Sequence, residues 1–291
     1  MRDATTPLAG RADAKVDYEV VIVGAGPSGS STALYLAERS KTLASRTLII
    51  DKAHHPRRKL CAGALVPDVD ACLAELGLRV DAVPTVRAPV VHALYEGRGV
   101  PISLADNYAF QVCQRTEFDA YLADSAARRG VTLLEDTKVS AVTPRPELGF
   151  VEVETSRGTI RARGVVAADG SKSIARRSLV THEKNESIQV ARAIEIVAPE
   201  NPVAPIVGMR PDDAAIELRW VSEGILGYVW DFPCLRDSGR LRNRGVYDSR
   251  VHNVEARQPL PKALKAELDR EGQSDLEYEL EGAPIRWFSK Q

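Results

Sequence analysis

The chain has 291 residues with 44% hydrophobic content, which is enough to bury one large core or two modest ones in a globular protein. Its net charge of −1 excludes an overall field that would attract nucleic acid or an acidic membrane surface, so we expect no nucleic-acid partner. The 4 cysteines show no CxxC spacing, and no run is typical of a signal peptide or a membrane span, which predicts a cytoplasmic protein.

The first ordered element predicted is the run YEVVIV, Tyr18–Val23, whose nearly continuous apolar character favours a strand covered on both faces of a parallel sheet. It is followed at once by G-x-G-x-x-G, with glycines at Gly24, Gly26 and Gly29, and then by a run of helix-forming residues. The first glycine permits a sharp turn, the second lets a pyrophosphate approach the backbone, and the third lets the helix pack closely on the strand. The helix N-terminus would then offer amide groups to the phosphates.

The next segment, RTLIIDK, predicts a second strand that ends at Asp51, 22 positions after Gly29. An acid at this place can accept hydrogen bonds from the hydroxyls of a ribose. The motif reads only the adenosine-diphosphate half that NAD and FAD share, so it leaves the choice between these two cofactors open.

Further along, the pattern predicts a helix from about Thr116 to Arg129, ended by Gly130, and the strands VTLLE and KVSAV. A hairpin is predicted with its turn at Arg157-Gly158, followed by the buried strand VVAA and by Asp169-Gly170. On its own, the Asp-Gly pair predicts a turn.

Together these features resemble the FAD-dependent monooxygenase and reductase superfamily of the para-hydroxybenzoate hydroxylase type, whose members carry GxGxxG, an internal Asp-Gly motif and a later Gly-Asp motif. RRKLCAGAL, Arg57 to Leu65, is similar to the Lys-x-Cys-Gly-Gly segment of geranylgeranyl reductases, and GYVWDFP, Gly227 to Pro233, matches their Tyr-x-Trp-x-Phe-Pro motif. The resemblance covers about Tyr18 to Phe288. It implies an α/β fold with a Rossmann-like FAD-binding domain of the glutathione-reductase-like ββα type and an antiparallel β-sheet substrate domain.

The resemblance also implies which residues contact the cofactor and the substrate. FAD would be held by Gly24, Gly26, Pro27, Ser28, Gly29, Asp51, Lys52, Cys61, Ala62, Ala64, Arg115, Val139 and Asp169. Two of these, Ala62 and Ala64, stand where the family commonly has glycine, which would alter the approach of backbone to the flavin ring. The substrate pocket would be lined by Tyr228, Trp230 and Phe232, which share one strand face by alternation; filling of a sheet core is the other interpretation.

The activity implied is reduction of C=C bonds in isoprenoid chains, with hydride from reduced FAD and a proton from a donor that the sequence does not identify among Tyr228, Cys61 and ordered water. Electrons would come from NAD(P)H or a ferredoxin-like protein, and the substrate would be a small molecule or an isoprenoid lipid, reached by peripheral membrane contact without a transmembrane segment. The histidines show no spacing typical of a metal site. Two alternatives stay open: a flavin-dependent monooxygenase or halogenase, and a truncated nucleotide-binding protein without catalysis.

The domain organisation predicted is a disordered tail over 1–17, an FAD-binding domain over 18–79 and 110–177, and a substrate domain over 80–109 and 181–291. No Gly-Asp dipeptide occurs in the sequence, so we expect the C-terminal segment that covers the flavin in the family to be missing and FAD to be held weakly. The basic clusters ARRSL and RLRNR are each expected to be a solvated face.

Overall fold

The computed structural model describes residues 15–103, 108–179, 186–200, 214–221, 224–236, 239–251 and 257–290. The strands are β1 (Tyr18–Val23), β2 (Thr47–Ile50), β3 (Ala64–Leu65), β4 (Thr85–Ala88), β5 (Val90–Tyr95), β6 (Arg98–Ser103), β7 (Phe110–Cys113), β8 (Thr132–Leu134), β9 (Val139–Arg145), β10 (Phe150–Thr155), β11 (Gly158–Ala167), β12 (Glu186–Pro199), β13 (Ala215–Trp220), β14 (Gly227–Arg236), β15 (Gly239–Asp248) and β16 (Glu281–Lys290). The helices are α1 (Pro27–Arg39), α2 (Lys41–Ala44), α3 (Asp68–Glu75), α4 (Arg115–Arg128), α5 (Ile174–Leu179) and α6 (Leu260–Arg270).

The chain divides into two compact units, each built from two stretches of sequence. The first unit comprises Met1–His55 and Leu122–Glu183, and the second comprises Pro56–Tyr121 and Lys184–Gln291. In this division residues 56–79 and 110–121 group with the second unit. The physical reason is the three-stranded sheet β3-β7-β4, whose apolar side chains share a core with β14.

The start of the chain bears on the tail expected over residues 1–17. Residues 1–14 lie outside the described residues. Asp17 already belongs to the first unit, because its N–H donates to the Arg161 carbonyl at 2.9 Å and its carboxylate accepts from the Arg161 N–H at 2.9 Å. The ordered fold therefore begins before β1.

The first unit is a six-stranded sheet in the order β8-β2-β1-β11-β10-β9. The strands β8, β2, β1 and β11 are parallel, while β10 pairs antiparallel with both β11 and β9. The buried face of α1 consists of small and apolar side chains, including Ala33, Leu34 and Ala37. The predicted order of strand, glycine turn, helix and strand is confirmed here. The predicted hairpin is present too, but Thr155 pairs with Gly158, so its turn is Ser156-Arg157, one residue before the predicted position.

The second unit contains a seven-stranded sheet in the order β16-β12-β15-β14-β13-β5-β6, antiparallel apart from the parallel pair β13 and β5. One face is covered by α6, which buries Leu260, Leu264 and Leu268 in a core shared with β12, β14 and β15. The opposite face carries Trp230 and Phe232, which belong to the core shared with the three-stranded sheet. The predicted α/β class with a largely antiparallel second sheet is confirmed.

One sequence expectation is wrong in this unit. The cluster RLRNR was expected to face solvent, but Arg242 is 8% exposed and Arg244 is 2% exposed. Both guanidinium groups donate to the buried carboxylate of Asp231, each from Nε at 2.6 Å. Alternate residues of a strand share a face, so the two arginines point together toward the α6 side of the sheet, where Asp231 on β14 neutralises them.

Candidate functional site

The glycine-rich turn lies at the carboxyl ends of three parallel strands of the first unit. Gly24 N–H donates to the Ile50 carbonyl at 2.7 Å, at the end of β2, and Ala168 N–H donates to the Val23 carbonyl at 2.9 Å, at the end of β1. These bonds bring the turn after β1, the loop after β2 and the Asp169 segment after β11 to one edge of the sheet. Parallel sheets bind their ligands at this edge.

Two of the motif glycines are required by the backbone. Gly24 adopts φ of +103°, a conformation that side chains disfavour. A Cβ atom on Gly29 would lie 1.8 Å from the Gly24 carbonyl oxygen, so α1 can approach β1 this closely only with glycine there. The motif therefore holds the head of α1 directly against the turn, as predicted.

The head of α1 is open to an anion. Gly26 occupies the N-cap position, no side chain caps the helix, and its first turn contains no acidic residue. Pro27 is the first helical residue, and Ser28 is exposed. The first turn of a helix leaves amide groups without intrahelical partners, and here neither a capping side chain nor an internal carboxylate competes for them. These residues fit the pyrophosphate of a dinucleotide.

Asp51 and Asp169, both predicted to contact the cofactor, also hold the backbone in place. Asp51 is 8% exposed, and its carboxylate accepts from the N–H groups of Ala25 at 2.8 Å and Ala53 at 2.9 Å. Asp169 accepts from Ile174 N–H at 2.6 Å, at the first residue of α5. An ionised carboxylate has about four acceptor positions, so Asp51 keeps capacity for ribose hydroxyls.

Lys52 and Val139, two other residues of this unit predicted to contact FAD, differ in their exposure to solvent. Lys52 follows Asp51 and is exposed at the same edge of the sheet. Val139 is 6% exposed, and its side chain packs in the core of the sheet with Val142 and Val153. Only the backbone of Val139 is left for a contact with the adenine, which is the part of the residue that the resemblance assigns to it.

The second unit contains a cavity of about 330 Å³. It is lined by Arg58, Lys59, Cys61, Gln114, Arg115, Thr116, Glu117, Glu195, Ile196, Val197, Asn243, Glu279 and Glu281. Of the residues predicted from the resemblance, Cys61 and Arg115 line it, whereas the aromatic residues of β14 do not. The lining is mostly polar and carries charges of both signs, so this cavity suits a polar group better than an isoprenoid chain.

The loop that carries Cys61 is fixed to β7 by its backbone. Gly63 adopts φ of +80°, and a Cβ atom there would lie 1.8 Å from the Cys113 carbonyl oxygen. Cys113 N–H also donates to the Gly63 carbonyl at 3.1 Å. Ala62 and Ala64 pack against the core that contains Trp230 and Phe232. The two alanines at glycine positions therefore fill the core and do not line the cavity.

Arg115 begins α4 and is held rigidly at the cavity. Its Nε and Nη2 donate to the two carboxylate oxygens of Asp119 at 2.7 and 3.1 Å, and Arg57 contacts the same carboxylate at 3.2 Å. Burial alone would lower the pKa of Arg115, but the hydrogen bonds and charge of Asp119 raise it above the ordinary value. Asp119 itself is fully buried. A forked ion pair of this kind keeps a positive charge in one place.

Glu195 is the cavity residue that the sequence reasoning missed. Its Oε1 accepts from Cys61 N–H at 3.1 Å and its Oε2 from Asn243 Nδ2 at 3.5 Å, while Asn243 Oδ1 accepts from Trp230 Nε1 at 2.8 Å. Burial raises the pKa of Glu195 to about 7, and the Cys61 and Asn243 donors oppose that rise. The signal in the sequence was a single acid inside the apolar strand run AIEIVA.

A row of aromatic rings crosses the same sheet. Tyr228 lies between Trp220, at a centroid distance of 6.1 Å, and Tyr247, at 5.4 Å. Trp220 is 44% exposed, so the row is partly open to solvent, whereas Trp230 and Phe232 are buried. Of the three residues predicted to line the substrate pocket, Trp230 and Phe232 are therefore core residues. Only Tyr228 belongs to the more exposed aromatic row.

Two kinds of feature are absent from the residues that the structure describes. No helix in those ranges is long and apolar enough to cross a membrane. No three metal-ligating side chains of these residues come together as a metal site.

Two named relatives are reductases. The chain is 30% identical over 234 residues to the digeranylgeranylglycerophospholipid reductase of Thermoplasma volcanium, an alignment covering 74% of this chain and 53% of that protein. It is 28% identical over 224 residues to the menaquinone reductase of Mycolicibacterium smegmatis, covering 74% and 52%. The chain therefore spans about half the length of these relatives.

The fold is that of solved flavoproteins, and the family follows from a sequence match. A geranylgeranyl bacteriochlorophyll reductase-like protein from Thermoplasma acidophilum superposes with a TM-score of 0.68 at 22% identity, covering 94% of this chain and 66% of that one. The profile of the FAD binding domain family matches residues 17–220, which is more than half of the chain. With the open helix head and the glycine turn that fit a pyrophosphate, this match shows that the chain belongs to the FAD binding domain family and that its cofactor is FAD.

Proposed function

We propose that this protein is an FAD-dependent reductase that adds hydrogen across C=C bonds of an isoprenoid chain. The observation that carries the proposal is the α1 head, which no side chain caps, in a chain whose named relatives include reductases. The identities to those relatives are 28–30%, and one of them acts by name on a digeranylgeranyl lipid.

In this proposal the first unit binds the adenosine-diphosphate half of FAD. The turn Gly24–Gly29 and the amide groups of Ser28 and Gly29 hold the pyrophosphate, and Asp51 accepts from the ribose. In its reduced form FAD supplies a hydride. Asp169 precedes α5 and stabilises the edge of this site by accepting from Ile174 N–H, at the first residue of that helix, at 2.6 Å.

In the second unit, Arg115 and the Cys61 loop are proposed to contact the polar part of the cofactor, because both line the polar cavity. The fixed charge of Arg115 would attract a group that becomes negative. Ala62 and Ala64, which the resemblance also assigns to this loop, would support the loop from the core side.

The isoprenoid chain is proposed to lie along the aromatic row Trp220–Tyr228–Tyr247, with only the C=C bond that is reduced placed at the polar cavity. Rings that are partly exposed gain about 25 cal/mol for each Å² of apolar surface that a lipid covers. Trp230 and Phe232 would support Tyr228 from within the core. Electrons would come from NAD(P)H or a ferredoxin-like protein, and a lipid substrate would be reached by peripheral contact with a membrane.

The test is anaerobic turnover. The purified chain is titrated with FAD, reduced with dithionite and incubated with digeranylgeranylglycerophospholipid in detergent. We expect lipid products heavier by two hydrogens for each bond reduced, detected by mass spectrometry. Gly29→Ala is expected to weaken flavin binding and lower turnover together, and Gly164→Ala, where a Cβ meets nothing within 4 Å, is the matched control.

Two outcomes would contradict this function. Oxygen uptake driven by NAD(P)H, without alkene reduction, would support a monooxygenase or halogenase. A chain that forms no flavin complex would support a nucleotide-binding protein without catalysis. Comparing NADH, NADPH and reduced ferredoxin as reductants identifies the electron donor.

A further inference from the structure

Two segments of the second unit that resemble family motifs converge on one carboxyl group. The Cys61 loop gives its backbone N–H to Glu195 Oε1 at 3.1 Å. β14 is connected to Glu195 through Asn243. Trp230 Nε1 on β14 donates to Asn243 Oδ1 at 2.8 Å, and Asn243 Nδ2 donates to Glu195 Oε2 at 3.5 Å. Glu195 is 6% exposed by residue and lines the cavity.

The orientation of the Asn243 amide follows from its partner. An indole N–H can only donate, so the atom of Asn243 that faces Trp230 must be the oxygen. The amide nitrogen is then directed at Glu195. The indole is itself held over Gly245, where a Cβ atom would lie 2.2 Å from Trp230 Cζ2. Packing of the Trp230 indole on Gly245 therefore fixes the orientation of the Asn243 amide, which is the donor to Glu195.

The charged groups around Glu195 come from four segments. Glu281 lies directly opposite Glu195 in the β12–β16 pairing and raises its pKa, and Glu279 also lines the cavity before β16. Lys59, from the Cys61 loop, lowers the pKa of Glu195. The remaining charged groups of the cavity are Arg58 on that loop and Arg115 and Glu117 on α4. Among the described residues, none forms an ion pair with Glu195 within 4.0 Å.

We propose that Glu195 is the acid that donates a proton in this cavity, and that Trp230, acting through Asn243, is its positioning residue. This inference rests on the proposed function. One carbon of the C=C bond receives the hydride, and the adjacent carbon forms its C–H bond with the proton from the Glu195 carboxyl, whose O–H bond breaks. The alkene gains two electrons and two hydrogens, the reduced flavin that would supply the hydride would return to FAD, and the Glu195 carboxylate recovers a proton from solvent.

Glu195 suits this role better than two other proton donors of the unit, Tyr228 and Cys113. A general acid works best with a pKa near the working pH, and burial brings the pKa of Glu195 to about 7. Burial raises the pKa of Tyr228 above its already high ordinary value of 10.0 and takes it further from neutrality. Cys113 is buried with a pKa of about 12 and lies outside the cavity lining.

The first test needs no cofactor and no turnover. The chain without FAD is titrated by infrared difference spectroscopy, with the carboxyl band of Glu195 identified by its loss in Glu195→Gln. We expect a midpoint of about 7, and a midpoint near the ordinary value of 4.5 would overturn the inference. Glu217→Gln is the matched control, because Glu217 is a second acid with a pKa raised to about 7 and lies outside the cavity.

The second test addresses Trp230. In Trp230→Phe the Asn243 amide loses its fixed orientation and with it the donor that stabilises the Glu195 carboxylate. The midpoint of Glu195 is then expected to rise, and Asn243→Ala should raise it in the same direction. A midpoint unchanged in both variants would remove Trp230 from this role, since a change in stability alone does not move a titration.

The last test measures turnover as in the anaerobic assay, across pH 5 to 9. Glu195→Gln is expected to lower kcat by about 100-fold or more, and Glu217→Gln to keep both rate and pH profile. If the wild-type chain reduces no alkene, the proposed function fails and the inference fails with it. If wild type is active and Glu195→Gln keeps its rate and profile, the inference alone fails.

Discussion

The two units present different kinds of surface to a ligand. In the first unit, backbone amides and glycines form the surface at the head of α1, and the nearby carboxylates hold the backbone in shape. In the second unit, charged side chains line the cavity, and an ionic network is buried on the α6 side of the sheet. A site made of backbone keeps its charge at every pH, whereas a site made of side chains changes with protonation. Our proposals, in which the first unit holds a nucleotide and the second moves protons, follow this difference.

The largest effect is expected where the second unit depends on a single buried charge. In Asp231→Asn, Arg242 and Arg244 lose the carboxylate to which each now donates at 2.6 Å. Leaving buried cations unpaired is expected to lower the free energy of unfolding by about 3–5 kcal/mol, measured by urea denaturation. Asp269→Asn, which removes an exposed pair with Lys265 at 2.9 Å, should cost far less, because solvent screens the attraction between the two charges. Equal effects of the two substitutions would contradict the buried network.

The next effect tests whether the cavity responds to pH through Glu195. Its pKa is about 7 in the folded chain against an ordinary 4.5, so ionisation opposes folding and stability falls as pH rises between these values. Relative to wild type, Glu195→Gln should therefore gain roughly 3 kcal/mol in free energy of unfolding between pH 4 and pH 8. Urea denaturation at both pH values measures this gain. Exposed Glu154→Gln is the control, and a gain of the same size there would refute the assignment.

A smaller effect is expected from the glycine turn of the first unit. Gly29→Ala places a Cβ atom 1.8 Å from the Gly24 carbonyl oxygen and forces α1 away from the turn. We expect a loss of about 1–3 kcal/mol in the free energy of unfolding and weaker FAD binding, the same at pH 6 and pH 8. Fluorescence titration with FAD measures the affinity. Gly164→Ala should stay within about 1 kcal/mol of wild type. If the loss of FAD affinity in Gly29→Ala depended strongly on pH, the proposed difference between the two units would be contradicted.

The smallest effect separates two roles of Asp169. Asp169→Ala removes the acceptor for Ile174 and Ala175 at the start of α5 and is expected to cost about 1 kcal/mol. Asp169→Asn keeps an acceptor there and should keep most of the stability, measured by thermal unfolding. If FAD affinity falls in the alanine variant and not in the asparagine variant, the residue acts on the cofactor through α5 and not through its charge.

The first unit could be predicted from the sequence because its signals are local. The strand β1, its glycines, the helix and Asp51 follow one another within a short stretch, and each restricts the backbone on its own. The prediction did not anticipate that Asp51 would also accept from the Ala25 and Ala53 amides, since these bonds depend on the exact path of two loops.

The chemistry of the second unit could not be predicted in the same way. Glu195 meets Cys61 across 134 positions and Asn243 across 48, so its surroundings exist only once the register of β12, β15 and β16 is set. RLRNR was misjudged for the same reason, because the partner of Arg242 and Arg244 lies on another strand. Charge counted along a sequence does not reveal whether a distant carboxylate neutralises it.

Gly245 shows how an uncharged position can tune an acid. A Cβ atom at position 245 would lie 2.2 Å from Trp230 Cζ2 and 2.3 Å from the Ile194 carbonyl oxygen, so a larger residue there would press on both the indole and the backbone of β12. Adding one methyl group at 245 would displace the ring, turn the Asn243 amide and alter the proton affinity of Glu195, without introducing or removing a single charge. Evolution or protein engineering could thus adjust the working pH of this chain through steric bulk alone.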